Sequence, residues 1–371
     1  MARNRTIYQS EALYVSSGLG STTSGQHAQL ERVQSANYNF SISRQDINQY
    51  GILARIDSLV LEPPTVGLDF TYYLTDGFNE RALGFYVQTG AATSGNFASG
   101  HMITSSGQNF YITTVAEGID ANGVNGNGNA ASVIGVGNAF LSNYGLELAV
   151  GALPTVSVSM EGSNINSDVT TSGVLGISGV SSPAINPALG TSLGNTVVLK
   201  PANTGYSAIS ALRPGDITVD ISAFNGTGIS NMTLAGSDSI HIQSASLSIP
   251  LSRESLSKLG TKFAYAKSVT FPVKATLAVK AILNEVSATD LANFVNDTST
   301  KDLKLTLKGP DGITNRMIFT LKGCTLDSES FSSSIGSNKS VDLNFSTQIG
   351  GPADLVNGIY VSGANSTVVF N

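Results

Sequence analysis

The sequence predicts a mainly β protein of α+β class. It consists of two tandem, similar antiparallel β-barrel or sandwich domains, each flanked by one helix, with a Gly/Ser-rich joining segment between them. Three observations predict this. First, the chain repeats itself: residues 32–51 (RVQSANYNFSISRQDINQYG) align without a gap to residues 241–260 (HIQSASLSIPLSRESLSKLG), 209 positions on. The identical pairs are Gln34/Gln243, Ser35/Ser244, Ala36/Ala245, Ser43/Ser252, Arg44/Arg253 and Gly51/Gly260. Self-similarity of this length marks one supersecondary unit used twice. Second, apolar residues alternate with polar ones, as in Tyr38, Phe40 and Ile42 against Asn39, Ser41 and Ser43, the period of a half-buried strand. Third, charged residues make up only 12% of the 371 positions while apolar ones reach 41%, with 39 Gly and 11 Pro, which suits a packed β protein and neither collagen nor a disordered tail.

A second pair of segments extends the repeat. Residues 133–160 match residues 318–345 at an offset of 185, with Leu141/Leu326, Gly151/Gly336 and Val156/Val341 identical. The first copy therefore carries 24 extra residues between the two anchors, placed in the Gly-rich insert at about 90–131. Such an insert costs little, because loop-closure entropy grows only logarithmically with length. The expected organisation is an N-terminal arm (1–28), a first domain (29–162), a joining segment with extra strands (163–238), a second domain (239–350) and a tail (351–371).

In chain order, strands are expected over the alternating residues 38–43, at 57–61 and at 65–74. A weak helix follows, with Asp76 as cap and Phe78, Ala82 and Phe85 on one face. Further strands are expected near residues 110–115, 132–136, 146–150 and 155–160. The second copy answers with a helix in SATDLANFVND, capped by Ser287 or Thr289, and with strands near 303–307, 316–321, 331–335 and 340–345. NTVVLKP and DITVDIS read as strands of the joining segment, and the tail GIYVSGANSTVVF as a last one.

The composition argues against several functions. The net charge is −6 and no basic cluster stands out, so a general nucleic-acid binder is not expected. The N-terminus lacks an apolar signal region, and no apolar run approaches the ~20 residues of a membrane span. The chain reads as soluble, made in a cytoplasm and without a membrane partner. His27, His101 and His241 show no metal-ligand spacing, and Cys324, the one cysteine, lies in an apolar strand pattern as a small buried hydrophobe. Asp120–Ala130 fails the register of a calcium loop. No catalytic, cofactor or metal residue is expected, and the chain does not read as an enzyme.

What remains are the repeated polar positions. Asn37, Asn39, Ser41 and Ser43 of the first copy and Ser246 and Ser248 of the second offer short neutral side chains, either a solvated sheet face or a pore wall that neither grips nor repels. Arg44 and Arg253, with Gln34 and Gln243, recur at equivalent positions, either as subunit contacts or as ordinary surface groups at strand ends.

Residues 34–74 (QSANYNFSISRQDINQYGILARIDSLVLEPPTVGLDFTYYL) and 133–162 resemble the major tail (tail tube) proteins of tailed bacteriophages, in the form that carries a duplicated domain. The resemblance implies a small β-barrel with one helix and rings of six tube domains, here three chains with pseudo-sixfold symmetry. The rings would stack into a hollow virion tail through which DNA is ejected. It implies contacts with further copies of the chain, with other tail proteins at the tube ends and with a tape-measure protein in the lumen, and double-stranded DNA passing without specific binding. Two other readings are a distal tail or baseplate hub protein, which can also hold two tube-like domains, and a carbohydrate-binding adhesin module. The adhesin wants exposed aromatic platforms, and the chain has no Trp.

Overall fold

The computed structural model describes residues 11–16, 26–62, 64–90, 95–103, 107–117, 119–121, 130–173, 176–186, 189–200, 211–212, 217–220, 240–261, 263–283, 300–309, 311–332, 340–351 and 354–364. The chain is mainly β. The first part runs β1 (Glu11–Ser16), β2 (His27–Gln29), β3 (Val33–Ser41), β4 (Arg44–Ile47), β5 (Asp57–Val60), β6 (Thr65–Tyr73), α1 (Phe78–Ala82), β7 (Val87–Gln88), α2 (Ser99–Ile103), β8 (Gln108–Thr114), β9 (Ala130–Ala149) and β10 (Thr155–Gly162). Then come β11 (Asn164–Gly173), β12 (Gly176–Ser181), β13 (Ile185–Asn186), β14 (Thr191–Ser192), β15 (Thr196–Leu199) and β16 (Ile217–Asp220). The last part holds β17 (Ile240–Pro250), β18 (Arg253–Leu256), β19 (Ala266–Val269), β20 (Val273–Leu283), β21 (Lys301–Lys308), β22 (Asn315–Ser332), β23 (Ser340–Ile349) and β24 (Gly358–Gly363). The helix expected at residues 287–295 lies outside the described residues.

One antiparallel sheet runs through both copies in the order β3–β6–β10–β9–β17–β20–β23–β22. Its two halves have the same registers. Val33 faces Tyr72 as Ile242 faces Ala281, and Val156 faces Leu146 as Val341 faces Phe331. The irregularities repeat as well. A bulge falls at Gln34 and again at Gln243, and the β10–β9 ladder slips at Ser159/Met160 where the β23–β22 ladder slips at Asn344/Phe345. Hairpin β4–β5 pairs Arg44 with Val60, as β18–β19 pairs Arg253 with Val269. A bulge bends a strand and re-aims its side chains, so a shared bulge pattern means a shared curvature.

The long strands β9 and β22 join this sheet to a second layer. The sequence splits each into two strands, and the structure makes each continuous. The gaps left between the expected strands, residues 137–145 and 322–330, each hold a corner inside one strand, with positive φ at Asn138 (49°) and at its counterpart Gly323 (64°). Beyond the corner, β9 pairs with β8 and β11, and β22 pairs with β21 and β24. Outside β8 lies β1, and outside β21 lies β16. Residues 11–16 and 27–28 of the segment read as an arm thus lie in sheet strands, with Leu13, Tyr14 and Val15 fully buried. Strand β11 continues through β12 to β15.

Between the layers lies one apolar core shared by both copies, from Leu68, Phe70 and Met160 to Leu277, Phe319 and Phe345. Helix α1 sits under the first copy's sheet. Asp76 does not cap it as the residue at the helix entry: Gly77 stands there with φ 95°, and Asp76 Oδ1 accepts the Phe78 N–H at 3.2 Å from one place earlier. The helix carries Glu80 into the core, where Tyr72 donates to Oε1 at 2.8 Å and Tyr144 at 3.4 Å. Burial pushes that carboxyl up to about 7.

Candidate subunit interface

The sheet presents two edges and one internal junction. At the junction, β17 of the second copy lies against β9 of the first, with Ser244 facing Ala149, Ser246 facing Glu147, Ser248 facing Gly145 and Pro250 facing Asn143. Backbone bonds flank the ladder, from Val150 N–H to the Gln243 carbonyl (3.0 Å) and from Leu251 N–H to the Ser142 carbonyl (2.8 Å). Arg253 completes the contact: its guanidinium stands 4.8 Å from the Phe140 ring centre, donates to the Lys267 carbonyl at 3.2 Å and donates to the His101 carbonyl. Lys267, itself nearly buried, reaches Glu161 at 2.6 Å. Burial lowers the Arg253 pKa to about 10.

Among the described residues, no strand pairs with the outer side of β3, and none pairs with the outer side of β22 over 325–332. Strand β3 is the counterpart of β17, so each of its side chains has an internal reference. Leu247, Ile249 and Leu251 are 2%, 0% and 0% exposed, whereas their counterparts Tyr38, Phe40 and Ile42 are 42%, 57% and 40% exposed. These three were expected on the apolar face. They lie there, and in the single chain each keeps at least 40% of its surface exposed. The β4–β5 hairpin adds Tyr50, Ile52, Leu53 and Ile56, all exposed. A free edge with apolar side chains is a template for pairing with another chain.

At the other edge, Glu329 faces Leu343 across the ladder and so lies on the apolar side of the sheet, where Tyr144 lies in the first copy. Desolvation raises its pKa. Sequence reading singled out neither Glu329 nor the hairpin tip. The signal for Glu329 was a charge on the inward parity of an apolar strand.

The residues singled out from the sequence fall as follows. Gln34 and Gln243 occupy the two bulges, and Gln34 Nε2 donates to the Arg32 carbonyl at 3.0 Å. Arg253 lies in the inter-copy contact, and Arg44, at the same position of the first hairpin, is exposed. Asn37, Asn39, Ser41, Ser246 and Ser248 share the polar face of the one sheet, while Ser43 is exposed in the link from β3 to β4. Ser248 Oγ donates to Asn143 Oδ1 at 3.3 Å, and Ser35 and Thr71 hydroxyls meet at 2.7 Å. Charges are few on this face. Lys274 meets Asp327 at 2.7 Å and Lys280 meets Asp342 at 4.0 Å, and Asp69 and Glu147 add negative charge.

Two of the three histidines and the cysteine lie in the interior. His27 is buried edge-on against Tyr111, 5.2 Å between ring centres, and burial lowers its pKa to about 4. His101 packs on Phe85, and burial next to Arg253 holds its pKa at about 3. The Cys324 thiol is buried and pushed up to about 12.

No protein-family model matches the chain, and a search of curated proteins finds no match. Among solved structures, the chain is similar to a component of the virion of a native gene transfer agent (GTA) particle, at 14% identity and a TM-score of 0.23. It is also similar to a component of the tail of an empty GTA particle computed with helical refinement and C6 symmetry, at 13% identity and a TM-score of 0.25. Each match covers 38% of this chain and 96% of the other.

Proposed function

We propose that this chain is the repeating structural subunit of a phage tail tube, a protein that builds rings by sheet extension and stacks them into a conduit for DNA. The observation that carries the reading is the contrast between equivalent strands. One copy's entry strand is sealed by the other copy, while Tyr38, Phe40 and Ile42 at the same positions of β3 stand exposed. A head-to-tail contact of this kind closes into a ring when its rotation divides a full turn. Three chains would supply six like domains.

The polar face suits a channel wall. Short neutral side chains and a slight excess of carboxylates offer DNA no cationic grip, and it is Lys and Arg that neutralise phosphates in DNA binders. The exposed hairpin β4–β5 then serves the ring-to-ring contact, with partners at the tube ends and a tape-measure protein inside during assembly in the host cell.

Electron microscopy of the purified chain at high concentration tests the proposal. Rings with an open lumen, some stacked into tubes, are expected. A monomer at all concentrations, or discs without a lumen, would overturn it. A hub protein would give single rings that never stack.

A further inference from the structure

The internal junction predicts the external one residue by residue. Strand β17 meets β9 in a fixed register, β3 repeats β17 at an offset of 209, and the second half of β22 repeats that of β9 at 185. The bulges that set the phase of these strands recur at the same places. We infer that β3 of one chain pairs antiparallel with β22 of a second copy, with Asn37 opposite Ser332, Asn39 opposite Ser330, Phe40 opposite Glu329 and Ser41 opposite Ser328. The occupant of both free edges is a second copy of this chain, because the sealed junction already shows one copy seated on the other. The inference rests on the ring reading and adds the register to it.

The hydrogen-bond phase follows too. The Leu251 N–H to Ser142 carbonyl bond becomes, in the new junction, a bond from the Ile42 N–H to the Asp327 carbonyl of the neighbour. Bonded pairs alternate with non-bonded ones in an antiparallel ladder. Ser248 and Gly145 therefore form a non-bonded pair, and so do Asn39 and Ser330. Such pairs approach to about 4.5 Å between Cα atoms, within the reach of a disulfide.

The two junctions differ in chemistry. Phe140, Glu161 and Lys267 of the inner contact are replaced by Thr325, Ser346 and Ser58. The outer junction has no counterpart of the Lys267–Glu161 ion pair, and it places the Glu329 carboxyl where the inner junction has Tyr144. The covalent link between copies therefore coincides with the more elaborate contact, and the outer contact relies on the backbone ladder and the β3 aromatics.

Cysteine pairs in the full chain test the register. The native thiol of Cys324 is buried and stays protonated, so it does not compete. N39C/S330C should assemble like the unmodified chain when reduced. On oxidation it should give a ladder of covalent multimers, reversed by reductant, at a yield at least tenfold above N39C/S332C, which is two residues out of phase. S41C/S328C, in the same register, should behave like N39C/S330C and serves if the first pair assembles poorly. Rings that form normally but cross-link best through N39C/S332C, or through no pair, would overturn the register and leave the ring reading standing. Failure of the unmodified chain to assemble would overturn the ring reading itself.

Discussion

Phe40 and Ile249 occupy the same position in the two copies, and truncating each to alanine should give opposite phenotypes. Phe40 is 57% exposed in the single chain, while Ile249 is 0% exposed. A phenylalanine side chain offers ~200 Å², so roughly 110 Å² of Phe40 would be covered at the outer junction, about 3 kcal/mol at ~25 cal/mol per Å². The alanine methyl keeps part of this, leaving a loss of about 2 kcal/mol, or roughly 30-fold in the association constant per junction. The fold itself should hardly notice Phe40→Ala. Ile249→Ala empties a packed site in the shared core and should cost the fold about 2–5 kcal/mol. Thermal melting below the assembly concentration reads the fold, and sedimentation velocity across a dilution series reads the assembly. Expected are an unchanged melt with weakened association for Phe40→Ala, and a melt several degrees lower for Ile249→Ala. If Phe40→Ala lowers the melt as much as Ile249→Ala and leaves association intact, β3 is not an interface and the argument from equivalent positions fails.

Three further outcomes are expected. Glu80 has a folded pKa of about 7 against an unfolded value near 4.5, so the folded state holds the extra proton. Stability should be fullest below about pH 4.5 and fall by roughly 3 kcal/mol as pH rises through 7, and denaturant midpoints at pH 5 and 8 should show Glu80→Gln flattening that slope. Glu329 is to be buried further on assembly, so its carboxylate opposes ring formation. Glu329→Gln should strengthen association about tenfold at neutral pH and show no such gain in acid, where the carboxyl is already protonated, as read by sedimentation. At the β22 corner, Gly323→Val should cost the fold at least about 1 kcal/mol more than Gly323→Asn in chemical denaturation, because φ there is 64° and the first copy tolerates an Asn at 49°.

The repeat was legible because its strands keep parity and phase. Gln34 and Gln243 stood out as matching letters, and they are the bulged residues. The bulge fixes which following side chains point to the core, so losing it would turn the strand over. The long strands were not legible as wholes. Gly137–Asn138 and Lys322–Gly323 carry the same signals as a turn, and only the second layer pairing beyond them makes a corner out of the break. Strands β1 and β16 went unpaired in sequence comparison because equivalent positions such as Tyr14 and Asp220 share no chemistry; they share only a place beside β8 and β21.

The interface was half legible. Alternation assigns Tyr38, Phe40 and Ile42 to the apolar side of a strand, but no local pattern says whether that side is covered. Coverage is a property of the neighbour. In the second copy the neighbour is the first copy, and in the first copy no strand among the described residues takes that place. A free β edge in a monomeric protein is usually blunted by Lys, Pro or an inward charge. Residues 33–41 hold no Lys, Pro or inward charge, and beyond them the hairpin adds Tyr50 and Leu53 to the exposed apolar surface. The opposite edge does carry an inward charge, in Glu329. Glu329 guards its own edge, since β22 pairs with β22 only by burying two carboxylates. A β3–β22 pair buries one, against an aromatic strand whose outer side pairs with no strand among the described residues. Glu329 thus disfavours β22 pairing with itself, and the head-to-tail contact left to that edge is the geometry that the proposed ring requires.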